Sequence, residues 1–213
     1  MKLFLTSKFH HVAGDIAGKL SEEQKQSVVF IITPIKYRTF NDKELDWHYQ
    51  NLDAMQKHGY NYEFYDIIGK TSGDIAGDLA KYKTIYVEGG NPFFFMQEAY
   101  KNNFGAYLKK RLQEGMIYIS ESAGSVCAGA DISANSRPGK SYKDYNLADT
   151  RGFGLVNFAI LPHWGQENKK EDHLTYKIPQ AYKDDVPYIL LSNSQYIEDN
   201  NGWFNIVDVN HGQ

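Results

Sequence analysis

Short apolar runs rich in β-branched and aromatic residues recur along the chain, and segments with helical spacing of apolar residues lie between them. Such runs predict buried strands, and the spacing between them predicts amphipathic helices. Strands that alternate with helices are typical of a largely parallel sheet covered on both faces. The predicted strands are KLFLT, SVVFIITP, NYEFYDII, KTIYVEGG and MIYISES, and the predicted helical stretches include Glu44 to His58 and Pro92 to Gln113.

Three later apolar runs are shorter and closer together: FAILPHW, VPYILLS and GWFNIVD. They predict that the sheet continues past its last crossover with an antiparallel edge. The chain has 213 residues and shows no internal repeat, so one α/β domain over residues 1–213 is expected. Open sheets of this class bind ligands at the carboxyl ends of their strands, so we expect the functional residues there.

Composition and charge exclude several classes of protein. Hydrophobic residues make up 42% of the chain, which is typical of globular proteins. The net charge is −3, so the basic footprint of a nucleic-acid-binding protein is missing. The apolar run near the start, Leu3 to Leu5, is too short for a signal-peptide core, and no apolar window has the length of a membrane span. We therefore expect a cytoplasmic protein without nucleic-acid or membrane partners. The single cysteine, Cys127, excludes an internal disulfide framework and a cysteine-only zinc site.

The segment MIYISESAGSVCAGADI resembles a nucleophile elbow, the tight strand-to-helix turn that exposes a catalytic serine. Ser122 occupies the serine position of the pattern G-x-S-x-G, and Gly124 occupies its last glycine. Ser120 stands where the first glycine would be, so the pattern is incomplete. The alternative interpretation is an ordinary serine at a helix N-cap.

A catalytic serine needs a base and donors for the developing oxyanion. His163 follows the apolar run FAILP and is expected at the carboxyl end of a strand, on the same rim as Ser122. Gly89, Gly90 and Asn91 end another predicted strand, and the glycine pair lets backbone amides approach a ligand closely. The alternatives are a loop histidine without a catalytic role and a tight turn in which Asn91 caps the next helix.

Three motifs, VEGGNPFFF, SESAGS and LPHW, in this order and spacing, resemble the peptidase E and cyanophycinase family of serine peptidases. The resemblance covers essentially the whole chain. It implies a flavodoxin-like three-layer α/β sandwich, related in outline to class I glutamine amidotransferases. It also implies that Ser122 is the nucleophile, that His163 is the general base, and that the Gly90 and Ala123 amides form the oxyanion hole. No metal or organic cofactor is expected, and the implied substrate is a small peptide of dipeptide scale.

The chain departs from the family's pattern at the acid of the catalytic triad. The family places an Asp or Glu between the serine and the histidine, and here that stretch differs in length and offers Asp144 and Asp149. We favour Asp144, because its spacing to His163 is nearer to that of the family, with Asp149 as the alternative. Such an acid would hold the tautomer of the imidazole and stabilise the imidazolium.

A second departure concerns specificity. In the family's aspartyl dipeptidases an arginine after the histidine motif binds the substrate aspartate, whereas ENKKEDHLTYK contains only Lys169, Lys170, His173 and Lys177 as basic residues. Lysine is a point charge and does not replace the planar fork of arginine, so the resemblance does not extend to aspartyl preference. We expect Asn91 and His173 to contact the substrate, and the protein to be a monomer or homodimer.

Two other functions stay open from the sequence. The first is an amide hydrolase on the same scaffold that acts on β-linked or modified peptides. The second is a non-catalytic binding or regulatory protein. Two features favour it: Ser120 stands in place of the first glycine of the elbow, and the acid of the triad is not identified.

Overall fold

Nine strands alternate with helices in the computed structural model, which describes residues 1–182 and 185–210. Most helices are short, and single turns of 3-10 helix lie in the loops, as at Thr33–Ile35, Asp42–Leu45, Ser133–Asn135, Tyr142–Tyr145 and Glu167–Lys169. The strands are β1 (Lys2–Thr6), β2 (Val28–Ile31), β3 (Tyr62–Tyr65), β4 (Thr84–Val87), β5 (Ile117–Glu121), β6 (Ala159–Trp164), β7 (Tyr188–Ser192), β8 (Gln195–Asn200) and β9 (Trp203–Asp208). The helices are α1 (Phe9–Gly18), α2 (Glu22–Lys25), α3 (Asp46–Lys57), α4 (Ser72–Asp78), α5 (Pro92–Lys101), α6 (Phe104–Gln113), α7 (Ala123–Ala128), α8 (Lys170–Asp172) and α9 (Ile178–Ala181), with a π-helical turn at His173–Lys177.

The central sheet has seven strands in the order β3-β2-β4-β5-β1-β8-β9. The first five in this order run parallel, and β8 and β9 are antiparallel to their neighbours. In the register, Thr6 of β1 lies opposite Glu121 of β5, and Val87 of β4 lies opposite Ser120. The carboxyl ends of β1, β4 and β5 therefore meet at one edge of the sheet.

Alternate side chains of each central strand enter different cores, one on each face of the sheet. Phe4 and Phe30 pack with α1 and α3 on one face, whereas Leu3 and Ile31 pack with α4 to α7 on the other. Continuous burial on both faces explains why these strands read as unbroken apolar runs in the sequence. This arrangement confirms the predicted α/β sandwich with a mostly parallel sheet.

The structure differs from the sequence prediction at the later strands. FAILPHW and VPYILLS form β6 and β7, which pair with each other in a separate two-stranded parallel sheet instead of extending the central one. The antiparallel edge of the central sheet is made by β8 and β9, of which GWFNIVD supplies the second.

The predicted helical stretch from Pro92 to Gln113 is interrupted between α5 and α6. Asn103 adopts a left-handed conformation with φ of 58°, which ends the first helix. The side chain of Asn102 donates to the carbonyl of Ile67 at 2.9 Å and accepts from the amide of Phe104 at 3.2 Å. Asparagine satisfies such local backbone groups well, which is why a break forms where the apolar spacing alone predicts one helix.

Within the described ranges, no helix is long and apolar enough to cross a bilayer.

Candidate active site

Ser122 occupies a strained turn directly between β5 and α7. Its φ of 44° and ψ of −101° lie outside the regions that non-glycine residues ordinarily adopt. Its amide donates to the carbonyl of Thr6 at 3.0 Å, which ties the turn to the neighbouring strand. A Cβ at Gly124 would lie 2.6 Å from the carbonyl oxygen of Val87, so the turn requires glycine there. The local geometry is that of a nucleophile elbow.

Ser120, which stands at the first glycine position of the elbow pattern, is accommodated by a buried hydrogen-bond network. Its hydroxyl lies 2.9 Å from that of Ser125, and Ser125 donates to the carbonyl of Thr6 at 2.7 Å. Both side chains are fully buried. The network satisfies the extra hydroxyl, so the incomplete pattern does not prevent the turn from forming.

His163 meets Ser122 from a bulge in β6. The register of β6 shifts between Pro162 and Trp164, and His163 itself has φ of 66°. Its Nε2 lies 3.0 Å from Oγ of Ser122, within hydrogen-bond range for proton transfer. The predicted nucleophile and base, 41 residues apart in the chain, are therefore brought together.

Burial lowers the pKa of His163 to about 4, against the opposing effect of its hydrogen bond to Asn193. The positive charges of Lys177, Lys169 and Lys8 lower the pKa further. The imidazole is therefore neutral near pH 7, as a base that accepts the proton of a serine must be.

Neither acidic residue predicted for the triad reaches the imidazole, and this expectation is corrected. The carboxylate of Asp144 accepts from the amide and hydroxyl of Ser141, at 2.7 and 2.9 Å, and so caps its own turn. Asp149 pairs with Arg151 two residues away. Both carboxylates are satisfied within their loop, whereas His163 Nδ1 faces Oδ1 of Asn193 at 3.1 Å and Oγ of Ser7 at 3.3 Å.

The two residues predicted for the oxyanion hole both line the cleft with Ser122. Ala123 is the first residue of α7, so no carbonyl of that helix accepts from its amide. Gly90 has φ of 135°, in the region open to glycine, and its loop is packed against Pro34. Their placement is compatible with the expected role, which stays a prediction.

Gly90→Ala is expected to lower kcat by about 10² to 10³-fold, the usual effect of losing one oxyanion donor. The reason is steric, because a Cβ at Gly90 would lie 2.2 Å from the carbonyl oxygen of Pro34 and the loop would have to move. Gly69→Ala is the matched control, since Gly69 also has a positive φ, of 72°, but has open space around it. Steady-state kinetics and thermal unfolding of both variants test this, and equal kcat values for the two would contradict it.

Asn91 and His173, which were predicted to contact substrate, are buried structural residues, and this prediction is corrected. Asn91 caps α5 through its side-chain oxygen and donates to the hydroxyl of Tyr145 at 2.6 Å. His173 Nε2 lies 3.0 Å from the carbonyl oxygen of Pro162, so it supports the bulge that carries His163. Each side chain is at most 2% exposed, which leaves no surface for a ligand.

Basic side chains dominate the wall of the cleft, which has a volume of about 380 Å³. The ionisable residues that line it are Lys8, Glu121, Arg137, Lys140, Lys169, Asp172 and Lys177. Asp172 pairs with both Arg137, at 2.9 Å, and Lys177, at 3.3 Å. Within residues 1–182 and 185–210, Lys8, Lys140 and Lys169 have no ion-pair partner. The wall therefore carries an excess of positive charge.

Lys140 is the most perturbed of these cations. Burial, together with the charges of Arg137 and Lys177, lowers the pKa of Lys140 to about 8. Lys140 and Arg137 lie in the loop after α7 and were not among the predicted site residues. The signal available in the sequence was a pair of basic residues around a Pro-Gly turn, which is typical of any solvated loop.

Glu121, next to the nucleophile, is a second buried group that the sequence analysis passed over. It accepts a hydrogen bond from the amide of Phe9 at 2.9 Å, so it anchors the first residue of α1. Burial, and then the nearby charge of Glu88, raise the pKa of Glu121 well above its usual range. Glu88 is itself held by His48 at 2.6 Å and by Asn51 at 3.1 Å. These contacts fix the strand ends that carry Ser122 and Gly90.

Comparison with known proteins gives a consistent result. The sequence model of peptidase family S51 matches residues 3–207. The chain is 31% identical to the uncharacterized peptidase Lmo0363 of Listeria monocytogenes, with 92% of each chain covered. It is 29% identical to the uncharacterized peptidase PM1590 of Pasteurella multocida, with 94% of each covered.

Solved structures show the same similarity. A crystal structure of a candidate peptidase E protein from Listeria monocytogenes EGD-e superposes with a TM-score of 0.80 at 26% identity, with 98% of each chain covered. A peptidase from an acI-B1 Actinobacterium superposes with a TM-score of 0.63 at 14% identity, over 97% of this chain and 87% of the other. At that identity the second similarity concerns the fold alone.

Proposed function

Because this chain belongs to peptidase family S51 and is a serine-type peptidase, we propose that it hydrolyses small peptides of about dipeptide size with Ser122 as nucleophile and His163 as general base. The observation that carries the proposal is the 3.0 Å contact between Ser122 Oγ and His163 Nε2 at the strained elbow. A serine and a neutral imidazole in this geometry form the reactive pair of acyl-transfer enzymes.

The proposed reaction proceeds through an acyl-enzyme. His163 Nε2 takes the hydroxyl proton of Ser122 as Oγ bonds to the peptide carbonyl carbon, and the Gly90 and Ala123 amides donate to the resulting oxyanion. His163 then passes the proton to the leaving amine as the C–N bond breaks. Water, deprotonated by His163, attacks the ester and releases the acid, and Ser122 recovers its proton.

The size and charge of the cleft support a short, negatively charged substrate. Its volume of about 380 Å³ is at the small end of ligand pockets, which favours a peptide of few residues over a folded protein. The positive wall, with Lys140 and Lys169 unpaired among the described residues, would attract a carboxylate close to the scissile bond. We propose that Arg137 and Lys140 supply the charge that the missing downstream arginine provides elsewhere in the family.

A matched set of dipeptides tests this proposal. We expect Asp-Leu to be hydrolysed with a kcat/KM about tenfold or more above that of Asn-Leu, because charge-assisted hydrogen bonds contribute about 1.5 to 3 kcal/mol. Asp-Leu amide, which lacks the terminal carboxylate, distinguishes the side-chain anion from the terminal one. Lys140→Met should reduce the preference for the anion, whereas Lys57→Met, at the exposed end of α3, should not.

Each failure has its own meaning. Equal rates for Asp-Leu, Asn-Leu and the amide would refute the role of charge and leave the peptidase proposal standing. Hydrolysis of a β-linked aspartyl dipeptide in preference to the α-linked one would assign the scaffold to modified peptides. Hydrolysis of no member of the set would refute a dipeptidase function.

A further inference from the structure

Asn193 occupies the position at the imidazole where a triad acid would stand. It lies in the turn between β7 and β8, 30 residues beyond His163 in the chain. Its Oδ1 is 3.1 Å from His163 Nδ1, on the side of the ring opposite Ser122. An amide has the shape of a carboxylate but no charge, and it can present either oxygen or nitrogen to the ring. Which atom faces the ring decides whether the imidazole can act as a base.

Ser7, at the carboxyl end of β1, is the hydrogen-bond partner from which we infer the orientation of this amide. Its hydroxyl oxygen accepts from the backbone amide of His163 at 2.7 Å, and its proton goes to Oδ1 of Asn193 at 2.8 Å. Ser7 is fully buried, so water does not compete for that proton. With Oδ1 engaged by Ser7, the same oxygen faces Nδ1 of the imidazole.

The consequence is a fixed tautomer. Nδ1 has two oxygen acceptors within reach, Oδ1 of Asn193 at 3.1 Å and Oγ of Ser7 at 3.3 Å. Since Ser7 already donates to Asn193, both oxygens favour a proton on Nδ1. Nε2 is then unprotonated and accepts the hydroxyl proton of Ser122.

We propose that Asn193, oriented by Ser7, completes the catalytic arrangement as a neutral positioning residue in place of an acid. The proposal rests on the proposed function, in which Ser122 is the nucleophile and His163 is the base. Asn193 fixes the tautomer of the imidazole but brings no negative charge to stabilise the imidazolium.

The absence of that charge has a measurable effect on pH dependence. The neutral side chains of Ser7, Ser122 and Asn193 contact the imidazole of His163, and the cations Lys8, Lys169 and Lys177, the last paired with Asp172, act on it through their charge. None of the three side chains that contact the imidazole carries a carboxylate. The base should therefore stay active to unusually low pH, with the acid limb of kcat/KM near pH 4 instead of near the ordinary histidine value of about 6.5.

Asn193→Asp is the decisive variant, because a carboxylate nearly matches the amide in shape and either of its oxygens can accept a hydrogen bond from Nδ1. We expect kcat/KM at pH 8 within about tenfold of wild type, and an acid limb moved upward by about one pH unit or more, since the new charge raises the pKa of His163. Asn193→Ala should lower kcat/KM by about 10²-fold or more, and Ser7→Ala by a smaller factor, because each change removes a hydrogen bond that holds the proton on Nδ1. Thermal unfolding of each variant checks the fold.

The opposite orientation of the amide predicts a different outcome. If the amide nitrogen of Asn193 faced Nδ1, the wild type would hold the wrong tautomer, and Asn193→Asp would raise kcat/KM by about 10³ to 10⁴-fold. That result would overturn the proposal, as would Asn193→Ala with wild-type rates and an unmoved acid limb.

A measurement independent of turnover separates this proposal from the proposed function. Nitrogen-15 NMR of the imidazole, assigned with a His163→Gln variant, reports which ring nitrogen carries the proton at pH 7. A proton on Nδ1 that is lost from that position in Asn193→Ala supports the positioning role, even if no peptide is cleaved. A proton on Nε2 in wild type overturns it, even if Ser122 proves to be the nucleophile.

Discussion

Ser122→Ala should lower kcat for peptide hydrolysis by about 10⁴-fold or more, while the protein keeps its fold. The hydroxyl is the only part of Ser122 that the proposed reaction uses, and alanine keeps the Cβ and the turn with φ of 44°. Its backbone amide still donates to Thr6, and Gly124 still permits the close approach to Val87. The variant therefore isolates the nucleophile from the elbow that presents it.

Two measurements check this prediction. Steady-state kinetics give the loss of kcat, and labelling with a fluorophosphonate probe followed by peptide mass mapping identifies the reactive serine. Ser21→Ala is a suitable control, because Ser21 caps the exposed helix α2 near the amino end of β2, away from the cleft. Substantial turnover by Ser122→Ala, or labelling of another serine, would remove Ser122 from the mechanism. A wild-type protein that neither labels nor turns over would favour a non-catalytic binding role.

His163→Ala should cause a comparable loss of kcat and should also abolish fluorophosphonate labelling at Ser122. An unactivated serine hydroxyl is a weak nucleophile, and the imidazole 3.0 Å away is the base placed to take its proton. Because serine and base act as a unit, Ser122→Ala combined with His163→Ala should be little worse than either change alone.

His11→Ala provides the matched control for this second prediction. His11 is exposed on α1 and makes a ring contact with His10, so its loss should leave both labelling and turnover unchanged. Labelling of Ser122 that persists in His163→Ala would show that another group activates the serine. Loss of labelling in both histidine variants would point to general destabilisation, which thermal unfolding would reveal.

The sheet and the serine–histidine contact were within reach of sequence reasoning because their signals are local. Buried parallel strands are continuous apolar runs, and Ser122 and His163 each directly follow or end such a run. The carboxyl ends of parallel strands share one edge, so residues found separately were expected to lie together. That inference needs no knowledge of loop conformation.

The remaining part of the site depends on contacts that no local pattern records. Asn193 reaches His163 only because the turn after β7 folds back beside β6, and an asparagine after a strand is common in turns. The search for an acid between serine and histidine selected Asp144 and Asp149, whose partners lie two or three residues away. Arg137 and Lys140 were missed because the ion pair of Arg137 with Asp172 and the partial burial of Lys140 both come from the tertiary fold.

The hydrogen bond between Ser7 and Asn193 joins residues 186 positions apart. Ser7 leaves the ribosome early, and Asn193 follows about 10 to 40 s later at a synthesis rate of about 5 to 20 residues per second. A nascent chain that already displays Ser122 therefore lacks the residue that orients its base. On the proposed mechanism, full hydrolytic activity therefore requires the turn before β8 to reach Ser7 at the end of β1, so the growing polypeptide acquires it only late in synthesis.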